Sequence, residues 1–161
     1  MCRNLIILIC IPAIFAACIP LSSPNKSDTC PVTTPSQQSL LLPIDIEYEN
    51  RFWYGTPALW TNLPIDGIWQ ELPHDKDGYV QKVVFWSEDF EALSQPNPAL
   101  TLSGRRLDDW APTFSLSDAT HGFDETGSFM LIGISIPNEG CWEITTEYRD
   151  EKLTYVVLVI P

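Results

Sequence analysis

The sequence is poor in basic residues and in histidine. Its 161 residues include 9 Lys and Arg against 21 Asp and Glu, which gives a formal net charge of −12 at pH 7, and its largest basic cluster is the pair Arg105 and Arg106. Such an acidic surface repels the phosphates of nucleic acids, so nucleic acid is not an expected partner. The two histidines, His74 and His121, show no ligand spacing, and we predict neither a metal site nor a cofactor.

The sequence also lacks the pattern of an amphipathic helix. No long segment repeats apolar residues every three to four positions between capping residues. Instead, 14 prolines and 8 glycines separate short segments in which apolar and polar residues alternate. Short strands divided by turns predict an all-β fold, and we expect one antiparallel β-sandwich of about seven to nine strands.

The apolar run near the N-terminus is too short to span a membrane as a helix. It covers residues 5–17, thirteen positions that follow Arg3, whereas a spanning helix needs about 20 apolar residues. A basic residue followed by a short apolar run is typical of a secretory signal peptide, which we place at residues 1–17.

The end of this run, FAAC at residues 15–18, resembles the lipobox of bacterial lipoproteins. The resemblance implies that cleavage leaves Cys18 as the first residue and that acyl chains such as palmitate anchor it in the membrane. We therefore expect an exported lipoprotein on the extracytoplasmic face of the cell membrane or at the outer membrane. Plain secretion after cleavage near Ala17 and an uncleaved anchor are the alternatives.

The composition changes again after the lipidated cysteine. Residues 18–43 are rich in Ser, Thr, Pro and Gln and have no sustained period, which predicts an extended tether. Alternation of apolar and polar residues begins at position 44, so we assign residues 44–161 to the sandwich domain.

The cysteines divide by their positions. Cys2 and Cys10 leave with the signal peptide and Cys18 takes the lipid, so Cys30 and Cys141 remain in the exported chain. An oxidising compartment favours a disulfide between these two. A pair of free thiols is the alternative.

Several segments carry strand patterns, and the segments between them carry turn signals. We predict strands at residues 44–48, 67–72, 79–87, 100–107, 114–116, 128–136, 141–148 and 153–160, and loops or turns at residues 74–78, 89–98, 108–113 and 118–127. In the strand at 141–148, Trp142, Ile144, Thr146 and Tyr148 share the face that we assign to the core, and Cys141 lies on the other face.

Two resemblances concern the folded domain. Residues 128–160, with a proline corner, a glycine turn and a final hairpin, resemble the closing strands of bacterial immunoglobulin-like domains, which implies an immunoglobulin-like sandwich. The motifs CPVT, WYG, LTLSGRRLD and GCWEI, which begin at residues 30, 53, 100 and 140, resemble a group of uncharacterised exported bacterial lipoprotein-like proteins. That resemblance implies no chemistry, but it implies that the residues near Cys30 belong with the fold.

No constellation in the sequence favours catalysis. Residues 74–78 form a fragment of a calcium loop that lacks the glutamate required at its twelfth position. The acidic cluster around His121 and Asp124 is interpreted as a solvated loop, and Arg105 and Arg106 as partners of nearby acids, with an anion-recognising edge as the alternative. We predict no catalytic residues and do not expect an enzyme; a hydrolase is the less favoured reading.

Aromatic residues are the surplus from which we predict a binding site. The surplus consists of Trp53, Tyr54, Trp60, Trp69, Trp86 and Trp110. We single out Trp53, Tyr54, Trp60 and Trp110, because rings exposed near prolines can stack on sugars or hold a partner protein; burial in the core is the alternative for each. We expect a non-catalytic binding or structural module of the cell envelope, with an envelope protein or a glycan as partner. A carbohydrate-binding or cell-wall-binding protein is the alternative function.

Overall fold

Two β-sheets pack face to face in the described part of the chain. The computed structural model describes residues 30–35, 49–108, 113–125 and 127–161, and within them it contains eleven strands and no helix. The strands are β1 (Arg51–Thr56), β2 (Leu59–Pro64), β3 (Ile68–Trp69), β4 (His74–Asp75), β5 (Gly78–Trp86), β6 (Leu100–Arg106), β7 (Thr113–Leu116), β8 (Thr120–Asp124), β9 (Gly127–Ile136), β10 (Gly140–Tyr148) and β11 (Glu151–Val159). A membrane-spanning helix of sufficient length and apolarity is absent from the same residues.

The strands form two sheets of similar size. Sheet A has six strands in the order β1-β2-β5-β9-β8, with β4 paired to β5 beside this path, and sheet B has five in the order β3-β11-β10-β6-β7. All neighbours are antiparallel except β3 and β11, which are parallel. The predicted all-β sandwich is confirmed. The strand count exceeds the expected range partly because β3 and β4 are two-residue segments, and the immunoglobulin type stays a prediction.

The core lies between the sheets and is filled by one face of each long strand. On β10, Trp142, Ile144, Thr146 and Tyr148 are each at most 1% exposed, so the predicted phase of this strand is confirmed. The Trp142 indole Nε1–H donates to the Asn138 carbonyl oxygen at 2.9 Å, which satisfies its polar group. Burial of a large apolar side chain of this kind stabilises the fold by roughly 1.5–3 kcal/mol.

Most predicted strands match observed ones, but four observed strands lie where no strand was predicted. The strands β1 and β2 lie in an aromatic-rich segment that prolines interrupt, and β4 lies in the predicted turn at 74–78. Residues 118–127 were expected to be a polar loop, but they contain β8, which pairs with β9. The prediction is wrong because β8 is a sheet edge whose side chains are mostly exposed, so it lacks the alternating apolar pattern of a half-buried strand. The strand expected at 67–72 is limited to β3, and the strand predicted at 44–48 lies outside the described residues.

Residues 30–35, which composition assigned to the tether, lie against sheet B. Cys30 and Cys141, the predicted pair, lie at disulfide-bond distance with an S–S separation of 2.02 Å. The Thr33 backbone N–H donates to the Val156 oxygen and the Thr33 hydroxyl accepts from the Val156 N–H, both at 2.9 Å. These bonds satisfy backbone groups of β11 beside its short pairing with β3, and they fasten the segment to the sandwich.

Candidate functional site

Sheet A is split along part of its length between β2 and β5. The strands have 6 and 9 residues, yet their pairing stops at the position where Thr61 lies opposite Phe85. The Thr61 hydroxyl donates to the Val84 backbone oxygen at 2.7 Å, so a side chain occupies this acceptor where the ladder ends. Beyond this point the sheet opens into a cavity of about 310 Å³, which we call the β2–β5 cleft.

The lining of the cleft combines aromatic, amide and charged side chains. Arg51 and Asn62 contribute from the β1–β2 hairpin. The other lining residues are Gln81, Lys82, Val83, Val84 and Trp86 of β5, Asp124 of β8, Phe129 of β9, and Trp69 of β3 in sheet B. A concave site with apolar rings and a few polar groups is the usual form of a small-molecule binding site.

Two lining residues carry buried hydrogen-bond donors without an acceptor. Within the described ranges, Asn62 Nδ2 and Trp69 Nε1 have no hydrogen-bond partner. The Arg51 guanidinium donates to Asn62 Oδ1 and, at 2.6 Å, to the Asn62 backbone oxygen. The side-chain oxygen of Asn62 is therefore already bonded within the protein, and its amino group remains as the unpaired donor. Buried polar groups in native proteins are nearly always paired, so two unpaired donors at one cleft require an explanation.

Tyr155 extends this polar region behind the cleft. Its ring centroid lies 6.4 Å from that of Trp69, and its buried hydroxyl likewise has no partner in the described part of the chain. Burial raises the pKa of Tyr155, and the positive charge of Arg51 opposes that shift in part. The hydroxyl is therefore neutral across the physiological range.

A second cavity adjoins the cleft. It has a volume of about 300 Å³ and shares Arg51, Trp69 and Gln81 with the cleft, while Glu49 and Asp66 add two carboxylates to its lining. The two cavities therefore differ in charge: the cleft is lined by Arg51 and Lys82 against one acid, and the adjoining cavity by two acids against Arg51.

The aromatics predicted to bind ligand lie beside the cleft and not in its lining. Trp53 and Trp60 are 9% and 4% exposed and pack with Trp86 on the outer face of sheet A, where the Trp53 and Trp86 rings meet edge to face at 4.6 Å. The expectation that Trp53 and Trp60 present open ring faces is therefore wrong, because the three indoles cover one another.

The other two predicted aromatics contribute no described ring face to the cleft. Tyr54 is half-buried, and its hydroxyl donates to the Thr154 backbone oxygen at 3.0 Å, which joins β1 to β11. Trp110 lies outside the described residues, as does the predicted lipidation site Cys18.

Sequence reasoning did not assign Phe129, Asn62 or Arg51 to a site, and it named Trp69 and Trp86 only within the surplus of aromatic residues. The alternation of β5 places Val84 and Trp86 on the outer face of the sheet, and this signal could have distinguished Trp86. The others follow from which strands are neighbours, which the sequence pattern alone does not give.

Arg105 and Arg106 form ion pairs outside the cleft. Arg105 bonds Glu143 at 2.7 Å and Arg106 bonds Asp108 at 2.6 Å, so both arginines are partners of nearby acids, as predicted. Burial opposes ionisation of Asp108, but the hydrogen bond and charge of Arg106 outweigh it and lower the pKa of that carboxyl.

The acidic cluster around His121 and Asp124 on β8 forms no metal site in the described residues. His121 Nδ1 lies 2.7 Å from the Pro96 backbone oxygen, and Asp124 lies at the end of the same strand. In the ranges that the structure covers, no group of three or more His, Cys, Asp or Glu side chains is placed to hold a metal ion. At the turn after β4, Asp75 Oδ1 accepts from the backbone N–H groups of Asp77 and Gly78 at 2.8 and 3.1 Å, as in an ordinary Asx turn.

The chain matches no protein-family model, no curated protein and no solved structure. The resemblance to exported lipoprotein-like proteins therefore stays a prediction, and the function has to be argued from the geometry of the cleft.

Proposed function

We propose that this chain is a non-catalytic binding module of the cell envelope, anchored through a lipid on Cys18, whose ligand site is the β2–β5 cleft. The anchor is supported by the apolar run at residues 5–17 and the FAAC segment that ends it. The ligand site is supported most by one observation: the cleft combines a volume of about 310 Å³ with two buried donors that find no acceptor among the described residues.

The cleft has the size and the chemistry to hold a small ligand. Its volume is within the usual range of ligand pockets, roughly 300–1,000 Å³. Trp86 and Phe129, whose ring centroids lie 6.1 Å apart, supply apolar surface at one side. The unpaired donors of Asn62 and Trp69 supply the directional contacts that fix a ligand's orientation.

Carbohydrate is the ligand class that this lining favours. Sugar rings present apolar C–H faces that pack on aromatic rings, and their hydroxyls pair with amides such as those of Asn62 and Gln81. The predicted carbohydrate-binding alternative thus keeps its ligand class, while its site moves from Trp53 and Trp60 to the cleft beside them.

The anchor is tested by metabolic labelling with palmitate in the native host. We expect label on the wild type and none on Cys18→Ala, which should be recovered in the soluble fraction. A wild-type protein that is soluble without detergent would contradict lipidation.

The cleft is tested by filling it. Val84 is a half-buried lining residue on the outer face of sheet A, and Val84→Trp should occupy the cavity. Leu131→Phe, a half-buried position of β9 that does not line the cleft, is the matched control. Against a panel of envelope glycans, we expect wild type and Leu131→Phe to bind and Val84→Trp to lose at least about tenfold in affinity, or about 1.4 kcal/mol.

A wild type that binds no glycan of the panel would remove the carbohydrate function. Crosslinking and pull-down from intact cells would then test the alternative, an envelope protein partner, with Val84→Trp again as the variant expected to lose it. Equal binding by Val84→Trp and wild type would show that the ligand site lies elsewhere.

A further inference from the structure

We infer that the β2–β5 cleft selects an acidic sugar, a ring that carries a carboxylate such as a hexuronate unit, over its neutral counterpart. This inference rests on the proposed binding function of the same cleft and adds the chemical class of its ligand. It follows from three observations: the hydrogen-bonding character of the lining, its local charge, and the opposite charge of the adjoining cavity.

The neutral polar groups of the cleft offer donors and keep their acceptors occupied. The indole Nε1–H of Trp69 can only donate. Asn62 Oδ1 accepts from Arg51, and Gln81 Oε1 accepts from the Lys82 backbone N–H at 3.0 Å. In both amides the amino group is therefore the part that a ligand can engage. A partner that satisfies this lining must present acceptor oxygens, and a carboxylate is an acceptor only.

The charge of the lining favours an anion at this place on an acidic protein. Arg51 and Lys82 stand against the single carboxylate of Asp124 in the lining, whereas the whole chain has a net charge of −12. A ligand carboxylate therefore meets a local excess of positive charge, and hydrogen bonds between charged groups are stronger than neutral ones.

The adjoining cavity orients such a ligand. Its lining carries Glu49 and Asp66 and shares only Arg51 as a cation, so a carboxylate placed there meets like charge, which is unfavourable. The acidic group is expected in the β2–β5 cleft near Lys82, and the hydroxyl-bearing part of a longer glycan can extend toward Glu49 and Asp66, whose oxygens accept hydrogen bonds from hydroxyls.

The test compares an acidic glycan with its neutral counterpart on the full-length protein in detergent micelles. Digalacturonate and galactobiose differ chiefly in their carboxylates, and both affinities are measured by titration calorimetry at low and high salt. We expect digalacturonate to bind at least about tenfold more tightly, and we expect this advantage to shrink in 1 M salt because screening weakens exposed charge pairs.

Two variants locate the selectivity. Lys82 is exposed, so Lys82→Met should fold normally and lower the affinity for digalacturonate by about tenfold, with a smaller loss for galactobiose, which carries no charge to pair with Lys82. Lys152→Met, at the far sheet where Lys152 pairs with Glu147 at 3.0 Å, is the matched control and should change neither. Trp69→Phe keeps a ring and removes the donor, and it should lower affinity for both sugars while far-ultraviolet circular dichroism stays that of the wild type.

The outcomes separate this inference from the function on which it rests. Equal affinity for the two sugars, abolished by Val84→Trp, would leave the cleft a glycan site and overturn its acidic selectivity. Acidic preference that survives both Lys82→Met and Val84→Trp would place the acid elsewhere and also overturn the inference. If neither sugar nor any glycan of the broader panel binds, the proposed carbohydrate function itself fails.

Discussion

Loss of the bond between Cys30 and Cys141 is predicted to remove a large part of the stability of the fold. The bond joins residues 111 positions apart, and it connects the segment at 30–35 to the beginning of β10, at the open end of the β10–β11 hairpin. The perturbation is the double variant Cys30→Ala/Cys141→Ala, compared with chemical reduction of the wild type.

The expected magnitude follows from the length of the closed loop. A cross-link across about 111 residues reduces the entropy of the unfolded chain by about 16 cal/mol/K, which corresponds to about 5 kcal/mol at 25 °C. Typical domains have a free energy of unfolding of about 5–15 kcal/mol. The predicted loss is therefore between one third and all of a typical free energy of unfolding. At the upper end of this range the reduced protein would be near the limit of folding.

The assay is urea unfolding followed by tryptophan fluorescence, with intact mass after alkylation to count thiols. Reduction should release two newly reactive cysteines, Cys30 and Cys141. The control is Thr33→Val, which removes the hydroxyl that accepts from the Val156 N–H and leaves the covalent link. It should cost only about 1 kcal/mol, because it deletes one hydrogen bond.

Two results would refute this reasoning. Alkylation of Cys30 and Cys141 without reduction would show that the thiols are free in the native protein. A double variant that loses less than about 1 kcal/mol would show that the cross-link does not constrain the unfolded chain in the way that the loop-entropy argument requires.

Three further predictions concern single residues, each measured by urea unfolding. Ile144→Ala should cost about 2–5 kcal/mol and Ile144→Val about 0.5–1.5, because Ile144 is 0% exposed; equal costs would contradict a tightly packed core. Gly78→Ala should cost about 2–3 kcal/mol, because Gly78 has φ +133° and an added Cβ would lie 2.1 Å from the Ile136 oxygen; an unchanged midpoint would refute the contact. The pKa of Asp108 is lowered in the fold, chiefly by Arg106 against the effect of burial. Its carboxylate therefore stabilises the protein above about pH 4 and loses this effect as pH falls through the folded pKa. The stability difference between wild type and Asp108→Asn should accordingly shrink below pH 4, and a constant difference would argue against the ion pair.

The parts of the fold that were predictable are those with strong local patterns. The alternation through Trp142, Ile144 and Tyr148 gave the phase of β10, because a strand with one buried face repeats every two residues. The predicted signal peptide and lipidation site, which account for Cys2, Cys10 and Cys18, left Cys30 and Cys141 as the expected pair. The strand β8 was missed because its exposed edge position imposes no apolar alternation on its residues. The strands β1 and β2 were missed because their aromatic-rich segment, interrupted by Pro57 and Pro64, also lacks that alternation.

The site was less predictable because it depends on pairing between distant strands. The cleft lies where β2 and β5 stop pairing after Thr61. No local sequence pattern indicates where the pairing of two strands ends. The sequence also indicated too much exposure for Trp53 and Trp60. Aromatic residues near prolines were expected to meet solvent or a ligand, whereas these rings bury one another against Trp86 on the outer face of sheet A.

The split in sheet A is better explained by binding than by packing. Closing β2 onto β5 would extend the hydrogen-bonded ladder and remove a cavity, both of which favour folding. In the part of the chain that the structure describes, Asn62 Nδ2 and Trp69 Nε1 are instead buried without acceptors, and each such donor costs about 1–3 kcal/mol. The tryptophan cluster around Trp86 holds the paired end of the two strands together, so the opening is confined to one end. A ligand with acceptor oxygens that entered the cleft would pair these two donors and so offset the cost of burying them.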